Sequence, residues 1–184
     1  RFLREAASNE QLKGAAQDRA YDIAFRWAEL ETSGHLVEPK ETSIDTQFLH
    51  QFFGDGLGFQ VRTASPDAWQ LEDKFTVPSV GTADAALGDF PKSRVPTAVV
   101  ELKDAKTDLD RDRFNGRTPV QQCWDYLNAL PGCKWGIVSN FITIRLYHHE
   151  KGTLSYEEFT LQELRNRERF NEFYCLFERG GLLP

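Results

Sequence analysis

The sequence predicts an α/β protein in which a central mixed β-sheet is flanked by helices. Three observations lead there. Thr97-Ala98-Val99-Val100-Glu101-Leu102-Lys103 is an apolar, β-branched run of the kind that lies inside a sheet. Thr118-Pro119-Val120-Gln121 opens a helix with an N-cap threonine, a proline at the first helical position and a capping-box glutamine. Helical stripes occur at both ends of the chain, Ala20/Ile23/Trp27 in the first and Phe170/Phe173/Phe177 in the last.

The totals bound the classes. A chain of 184 residues suits one domain with its own core and a helical appendage. The formal net charge of −6 lacks the basic excess of a free-standing nucleic-acid binder, so action on DNA would need a local basic patch or a grip supplied by another segment. No apolar run approaches the ~20 residues that span a bilayer, and neither a secretory leader nor a membrane partner is expected. Cys123, Cys133 and Cys175 are scattered without a C-x-x-C pair, which argues against zinc and for a reducing, cytoplasmic setting. Arg1 at the start and the lack of methionine predict a fragment of a longer chain, or a sequence from which modified residues are missing.

In chain order, Arg1 to Glu31 reads as one long amphipathic helix with Leu12, Ala16, Ala20, Ile23, Trp27 and Leu30 on its apolar stripe and Gly34 as its stop. A second helix starts near Thr42 or Ser43, turns Ile44, Phe48, Leu49, Phe52 and Phe53 inward, and ends at Gly54, Gly56 and Gly58. Glu41 stands just before it, either as a solvated charge near the helix dipole or as a site residue. Gly58 to Thr63 is a short strand candidate, and Ala64 to Pro78 reads as loop or irregular strand. Val80 to Leu87 is a strand placing Thr82, Asp84 and Ala86 on one face, with the carboxylate among small alanines. Gly88 to Pro96 is long enough for an antiparallel return, so that Thr97–Lys103 lies beside the Asp84 strand. In that strand Val99, Glu101 and Lys103 share a face. Glu101 and Lys103 therefore form an ion pair at a wet strand end, or they are there for chemistry.

Asp104 to Arg117 carries Lys106, Arg111, Arg113 and Arg117 among four aspartates, a solvated loop or an arm that touches phosphates. The capped helix runs to about Leu130, with Val120, Cys123, Trp124, Leu127 and Leu130 buried and Gln122 and Tyr126 adjacent on one flank. Trp135–Asn140 and Ile142–Tyr147 form two strands joined tightly at Asn140, and Tyr156–Phe159 is a third. His148-His149 reads as exposed polarity rather than ligation. Thr160 with Glu163 is a further capping box, and Phe170, Phe173, Tyr174 and Phe177 share the face of a last helical region closed by Gly180-Gly181.

Asp84, Glu101 and Lys103 thus meet at one rim of the sheet. Two adjacent carboxylates oppose joint ionisation unless a cation lies between them, and hard oxygen ligands suit Mg²⁺ better than Zn²⁺.

Asp84, then Glu101-Leu102-Lys103, then Gln122-x-x-x-Tyr126 resembles the PD-(D/E)xK nuclease superfamily, although Ala83 stands where the family's proline precedes the aspartate. The resemblance implies a restriction-endonuclease-like core (α-β-β-β-α-β) with an extra N-terminal helix and a C-terminal helical region. It implies Asp84 and Glu101 as Mg²⁺ ligands helped by the Leu102 carbonyl, with Mn²⁺ as substitute. It implies Lys103 as the catalytic lysine, Gln122 and Tyr126 as accessory groups, and Glu41 or Gln47 as the helix residue completing the site. The strings GTADAALGDF, AVVELKDAKTDLD, TPVQQCWDYLN, WGIVSNFITIRLY and YEEFTLQEL are similar to the N-terminal cleavage domain of type IIG single-chain restriction–modification enzymes. That likeness implies double-stranded DNA as substrate. It also implies a covalently linked methyltransferase and target-recognition domain outside this chain, whose prolines form no Pro-Pro. One nuclease domain is expected over 1–184, with a helical extension at 1–34, a catalytic core at 41–147 and C-terminal elements at 148–184. The alternatives are a non-cleaving DNA-binding scaffold of the same fold and a DNA repair or recombination nuclease.

Overall fold

The computed structural model describes residues 2–7, 13–37, 41–90 and 92–183. Its centre is a six-stranded mixed sheet in the order β1-β2-β3-β4-β5-β6. The strands are β1 (Leu71–Val77), β2 (Gly81–Leu87), β3 (Ala98–Leu102), β4 (Trp135–Ser139), β5 (Thr143–His148) and β6 (Tyr156–Thr160). Only β3 and β4 run parallel; every other neighbouring pair is antiparallel. Parallel neighbours need a crossover, and here it carries helix α4 (Pro119–Ala129), which packs on β2, β3 and β4.

The two sheet faces have different cores. Beneath α4, Val99, Val138 and Tyr147 meet Val120, Cys123, Tyr126, Leu127 and Leu130. On the other face, Val100, Leu102, Ile137 and Phe159 pack on an aromatic layer that includes Trp27, Phe48, Phe52, Phe53 and Phe173. Edge-to-face pairs recur there, as between Trp27 and Phe48 at 5.0 Å, the arrangement favoured by the ring quadrupole. The N-terminal and C-terminal helices thus share one apolar core with the sheet.

The first helix differs from expectation. It is described as α1 (Phe2–Ala7) and α2 (Ala15–Thr32), because Gly14, with φ 137°, forms a non-helical N-cap ahead of α2. Leu12 lies outside the described residues. The buried stripe is Gln17, Ala20, Ile23, Ala24, Trp27 and Ala28, while Ala16 and Leu30 are exposed. The expected stop is present: Gly34 has φ 78° and donates to the Glu31 carbonyl, while His35 donates to that of Leu30, a Schellman closure.

Helix α3 (Glu41–Phe48) begins at Glu41 rather than after it, and the side chains of 41–43 lie outside the described residues. The helix continues as a π-helical segment, Leu49–Gly56, whose wider turn is seen where the Leu57 N–H reaches the Phe52 carbonyl. Ile44, Phe48, Leu49, Phe52 and Phe53 are buried as the periodicity requires.

The second difference is β1. No strand forms over 58–63, where Val61 makes only an isolated bridge to Leu71. The strand lies further on, in the segment read as loop or irregular strand. Asp73 pairs with Ala85 and Phe75 with Ala83 in one unbroken register, so Lys74 stands opposite Asp84, although its backbone turns left-handed there at φ 53° and makes no ladder pair.

Toward the C-terminus, the Thr160–Glu163 box forms, but it closes a 3₁₀ turn at Glu163–Arg165 rather than a longer helix. The Asn166 side chain then caps α5 (Arg167–Phe177), which buries Phe170, Phe173, Tyr174 and Phe177. Gly180 and Gly181 lie within a short α6 (Arg179–Leu182). Among the described residues no helix is long and apolar enough to cross a membrane.

Candidate active site

The ladder between β2 and β3 pairs Leu87, Ala86 and Ala85 with Ala98, Val99 and Val100, and stops short of Asp84. There the Asp84 side chain continues the connection: its Oδ2 accepts the Leu102 backbone N–H at 2.7 Å. β3 is buried along its whole length, so Glu101 on the α4 face sits in an apolar wall with a side chain only 4% exposed. Lys103, one residue past β3, stays attached to β4 through its N–H and the Ser139 carbonyl. Its Nζ donates to Glu101 Oε1 at 2.6 Å and lies 4.7 Å from the Phe114 ring centre, a charge-assisted bond with a cation–π contact behind it.

Asp84, Glu101 and Lys103 therefore lie together, as the strand alternation requires. Burial pushes the Glu101 carboxyl up to about 7, the negative charge of Asp84 adds to the rise, and Lys103 and Lys74 oppose it. A buried carboxylate held beside a second one is an arrangement that a hard cation relieves. Asp84 and Glu101 offer oxygen ligands suited to Mg²⁺, so the residues present fit that ion. Both carboxylates already carry ammonium partners, Lys103 on Glu101 and Lys74 on Asp84 at 2.6 Å. Among the described residues no group of three or more His, Cys, Asp or Glu side chains is placed to hold a metal.

Helix α4 brings the two flank residues in. Thr118 accepts the Gln121 N–H while the Gln121 side chain accepts the Thr118 N–H, which fixes the helix start beside the sheet. One turn on, the Tyr126 hydroxyl donates to the Thr82 carbonyl at 3.1 Å. Burial first, then the charges of Glu101 and Asp84, hold this phenol well above the usual range, so it stays a neutral donor. The Gln122 Oε1 is buried without a hydrogen-bond partner. Both side chains line a groove of about 670 Å³ shared with Ser79, Phe114, Asn115 and Arg117. Trp124, expected in the buried stripe, is half-buried.

The helix residue expected to complete the site is not settled by Glu41, whose side chain lies outside the described residues, and Gln47 is exposed. Among the described α3 side chains Asp45 acts on the site: with Asp84 first, then Asp45 and Glu101, the neighbouring carboxylates raise the pKa of Lys74. Sequence reasoning missed both Lys74 and Asp45. The signal for Lys74 was the charged triplet Glu72-Asp73-Lys74 interrupting an otherwise strand-like run.

Residues 104–117 are tied down rather than free. Asp110 takes both Arg145 terminal nitrogens, at 2.8 and 2.9 Å, and Glu158 takes the Arg145 Nε at 2.6 Å. Asn140 Nδ2 donates to the Thr107 carbonyl at 2.9 Å. Phe114 and Arg117 close the end of the segment in a small bridge. His148 accepts the Glu150 N–H, and His149 contacts Asn128.

No family model matches the chain, and neither the curated proteins nor the solved structures compared with it give a match.

Proposed function

We propose that this chain is a Mg²⁺-dependent endodeoxyribonuclease module with the restriction-endonuclease-like fold of the PD-(D/E)xK superfamily, of the kind that forms the cleavage domain of type IIG restriction–modification enzymes. The observation that carries the reading is the convergence of Asp84, buried Glu101 and Lys103 where β2 and β3 separate. Asp84 and Glu101, with the Leu102 carbonyl, would hold the ion. Mg²⁺, or Mn²⁺ in its place, supplies there the polarisation of a phosphodiester and the acidification of a bound water.

The chain's own residues do the rest. Lys103 gives up its bond to Glu101 in part to orient the attacking water and to balance charge on the phosphorane. The water oxygen forms the new bond to phosphorus, the bond to the 3′-oxygen breaks, and that oxygen leaves with a proton. The ends are a 5′-phosphate and a 3′-hydroxyl. Gln122 presents an acceptor along the groove through which the strand passes, and Tyr126 holds the Thr82 carbonyl beside it. Sequence recognition and much of the DNA grip belong to a linked target-recognition domain and methyltransferase, in keeping with the acidic balance of this chain.

Plasmid nicking with and without Mg²⁺ tests the reading. Asp84→Ala, Glu101→Ala and Lys103→Ala in folded protein are each expected to abolish Mg²⁺-dependent cleavage. Full activity of Lys103→Ala overturns the assignment. One observation favours a second reading, a non-cleaving DNA-binding scaffold: both carboxylates are already ion-paired. DNA retention with no Mg²⁺ or Mn²⁺ binding by calorimetry would select it.

A further inference from the structure

Lys74 reaches Asp84 from a strained position directly opposite on the neighbouring strand. β1 is an edge strand of the sheet, and at Lys74 its backbone turns left-handed at φ 53°, a conformation that side-chain-bearing residues rarely adopt. Between the pairs made by Asp73 and Phe75, Lys74 stands directly across from Asp84 without a ladder pair of its own, and its Nζ reaches Asp84 Oδ1 at 2.6 Å. Strain of this sort persists where the surrounding structure holds it, and it clusters at functional sites.

The two lysines at the site are built differently. Lys103 is 16% exposed and backed by the Phe114 ring, so it is enclosed with its partner. Lys74 is 61% exposed and enters from solvent, so its amine can leave without disturbing the core. The other Asp84 oxygen is committed to the Leu102 N–H. Oδ1 is the Asp84 oxygen that the backbone leaves open, and it is the one Lys74 holds.

We propose that Lys74 is a tethered cation that holds Asp84 in the metal-free site and competes with a divalent ion for the same carboxylate oxygen. In the ion-free state it orients Asp84 and offsets the two buried charges. On metal binding it swings into solvent at the mouth of the site, where its charge faces whatever anion approaches. Lys74 is thus a positioning residue that sets metal affinity. The inference rests on the proposed metal site, and the experiment separates the two.

Ca²⁺, a hard divalent ion that serves as a non-cleaving probe, is titrated calorimetrically into the chelator-treated chain. Lys74→Met is expected to bind Ca²⁺ about three- to fivefold more tightly than the parent, the size of one exposed ion pair. Lys74→Gly removes the amine while suiting the left-handed backbone, and it is expected to match Lys74→Met even if the latter folds poorly. Lys74→Arg keeps the charge and is expected to restore parental affinity, which a purely structural role would not require. Asp84→Asn is expected to weaken binding whether or not Lys74 is present. Equal or weaker Ca²⁺ binding by the glycine and methionine variants overturns the competition while leaving the metal site standing. If neither the parent nor any Lys74 variant binds Ca²⁺, the metal site falls, and the inference falls with it.

Discussion

Replacing Glu101 by glutamine in metal-free protein is expected to stabilise the chain at alkaline pH. Glu101 is almost wholly enclosed and has a carboxyl pKa of about 7 in the folded state, against about 4.5 in the unfolded chain. The folded state therefore holds the Glu101 proton more tightly than the unfolded one. Below about pH 4.5 both states are protonated and the side chain carries no penalty. As the pH rises from about 4.5 to about 7 stability is lost, and above that the loss is complete. At ~1.4 kcal/mol per tenfold change, the gap corresponds to about 3 kcal/mol. Glutamine has nearly the same shape, does not ionise, and can still accept from Lys103. It forfeits the charge-assisted part of that bond, which makes ~3 kcal/mol an upper bound. Urea unfolding with a chelator present, at pH 4.5, 6 and 8, measures the difference between the two proteins, in which the other titrating groups largely cancel. The variant is expected to match the parent at pH 4.5 and to exceed it progressively toward pH 8. A variant less stable than the parent at pH 8, or a difference that does not shrink toward pH 4.5, refutes the claim that burial dominates at Glu101.

Two further perturbations probe the scaffold around the site. Asp110→Ala leaves Arg145, whose side chain is only 10% exposed, with Glu158 but without its two-pronged partner. Because Asp110 is itself largely exposed, the expected cost is about 1–2 kcal/mol, with faster amide hydrogen exchange across 104–117. Unchanged exchange there would mean that Asn140 and the small bridge hold the segment alone. Gly136→Ala places a methyl 2.6 Å from Cys123 Sγ and 3.1 Å from Leu127 Cδ1, where β4 and α4 are in direct contact. Overpacking of this kind is expected to cost about 1–3 kcal/mol, and Cys123→Ala in the same chain is expected to recover part of it, as a double-mutant cycle reads out.

What could be read from the sequence, and what could not, follows from where each feature gets its cause. β3 was legible because its apolar run needs no partner to declare itself, and α4 because Thr118, Pro119 and Gln121 write its start in local chemistry. The meeting of Asp84 with Glu101 and Lys103 was legible from strand alternation and an antiparallel return. β1 was hidden because Glu72, Asp73 and Lys74 put three charges in a row at its centre, where an alternating apolar pattern would mark a strand. The π-helical turn was hidden for a different reason: Phe48, Phe52 and Phe53 face inward in either helical form, so the apolar pattern does not distinguish them. Lys74 and Asp45 reach the site through tertiary placement, one from an edge strand and one from α3, and no spacing in the chain joins them to Asp84.

The single parallel pair has a consequence for the order in which the chain acquires its structure. β1–β3 and β4–β6 are two meanders whose strands each pair with a sequence neighbour, and such contacts close short loops. Joining β3 to β4 closes the longer excursion that carries residues 104–117 and α4, so it forms against a larger loss of chain entropy. Asp84 and Glu101 belong to the first meander, whereas Tyr126 and most of the groove's lining belong to the excursion. The two carboxylates can thus be brought together early, and the walls that dry them arrive only when the halves dock. During folding they would spend that interval in water, where holding two negative charges side by side costs least.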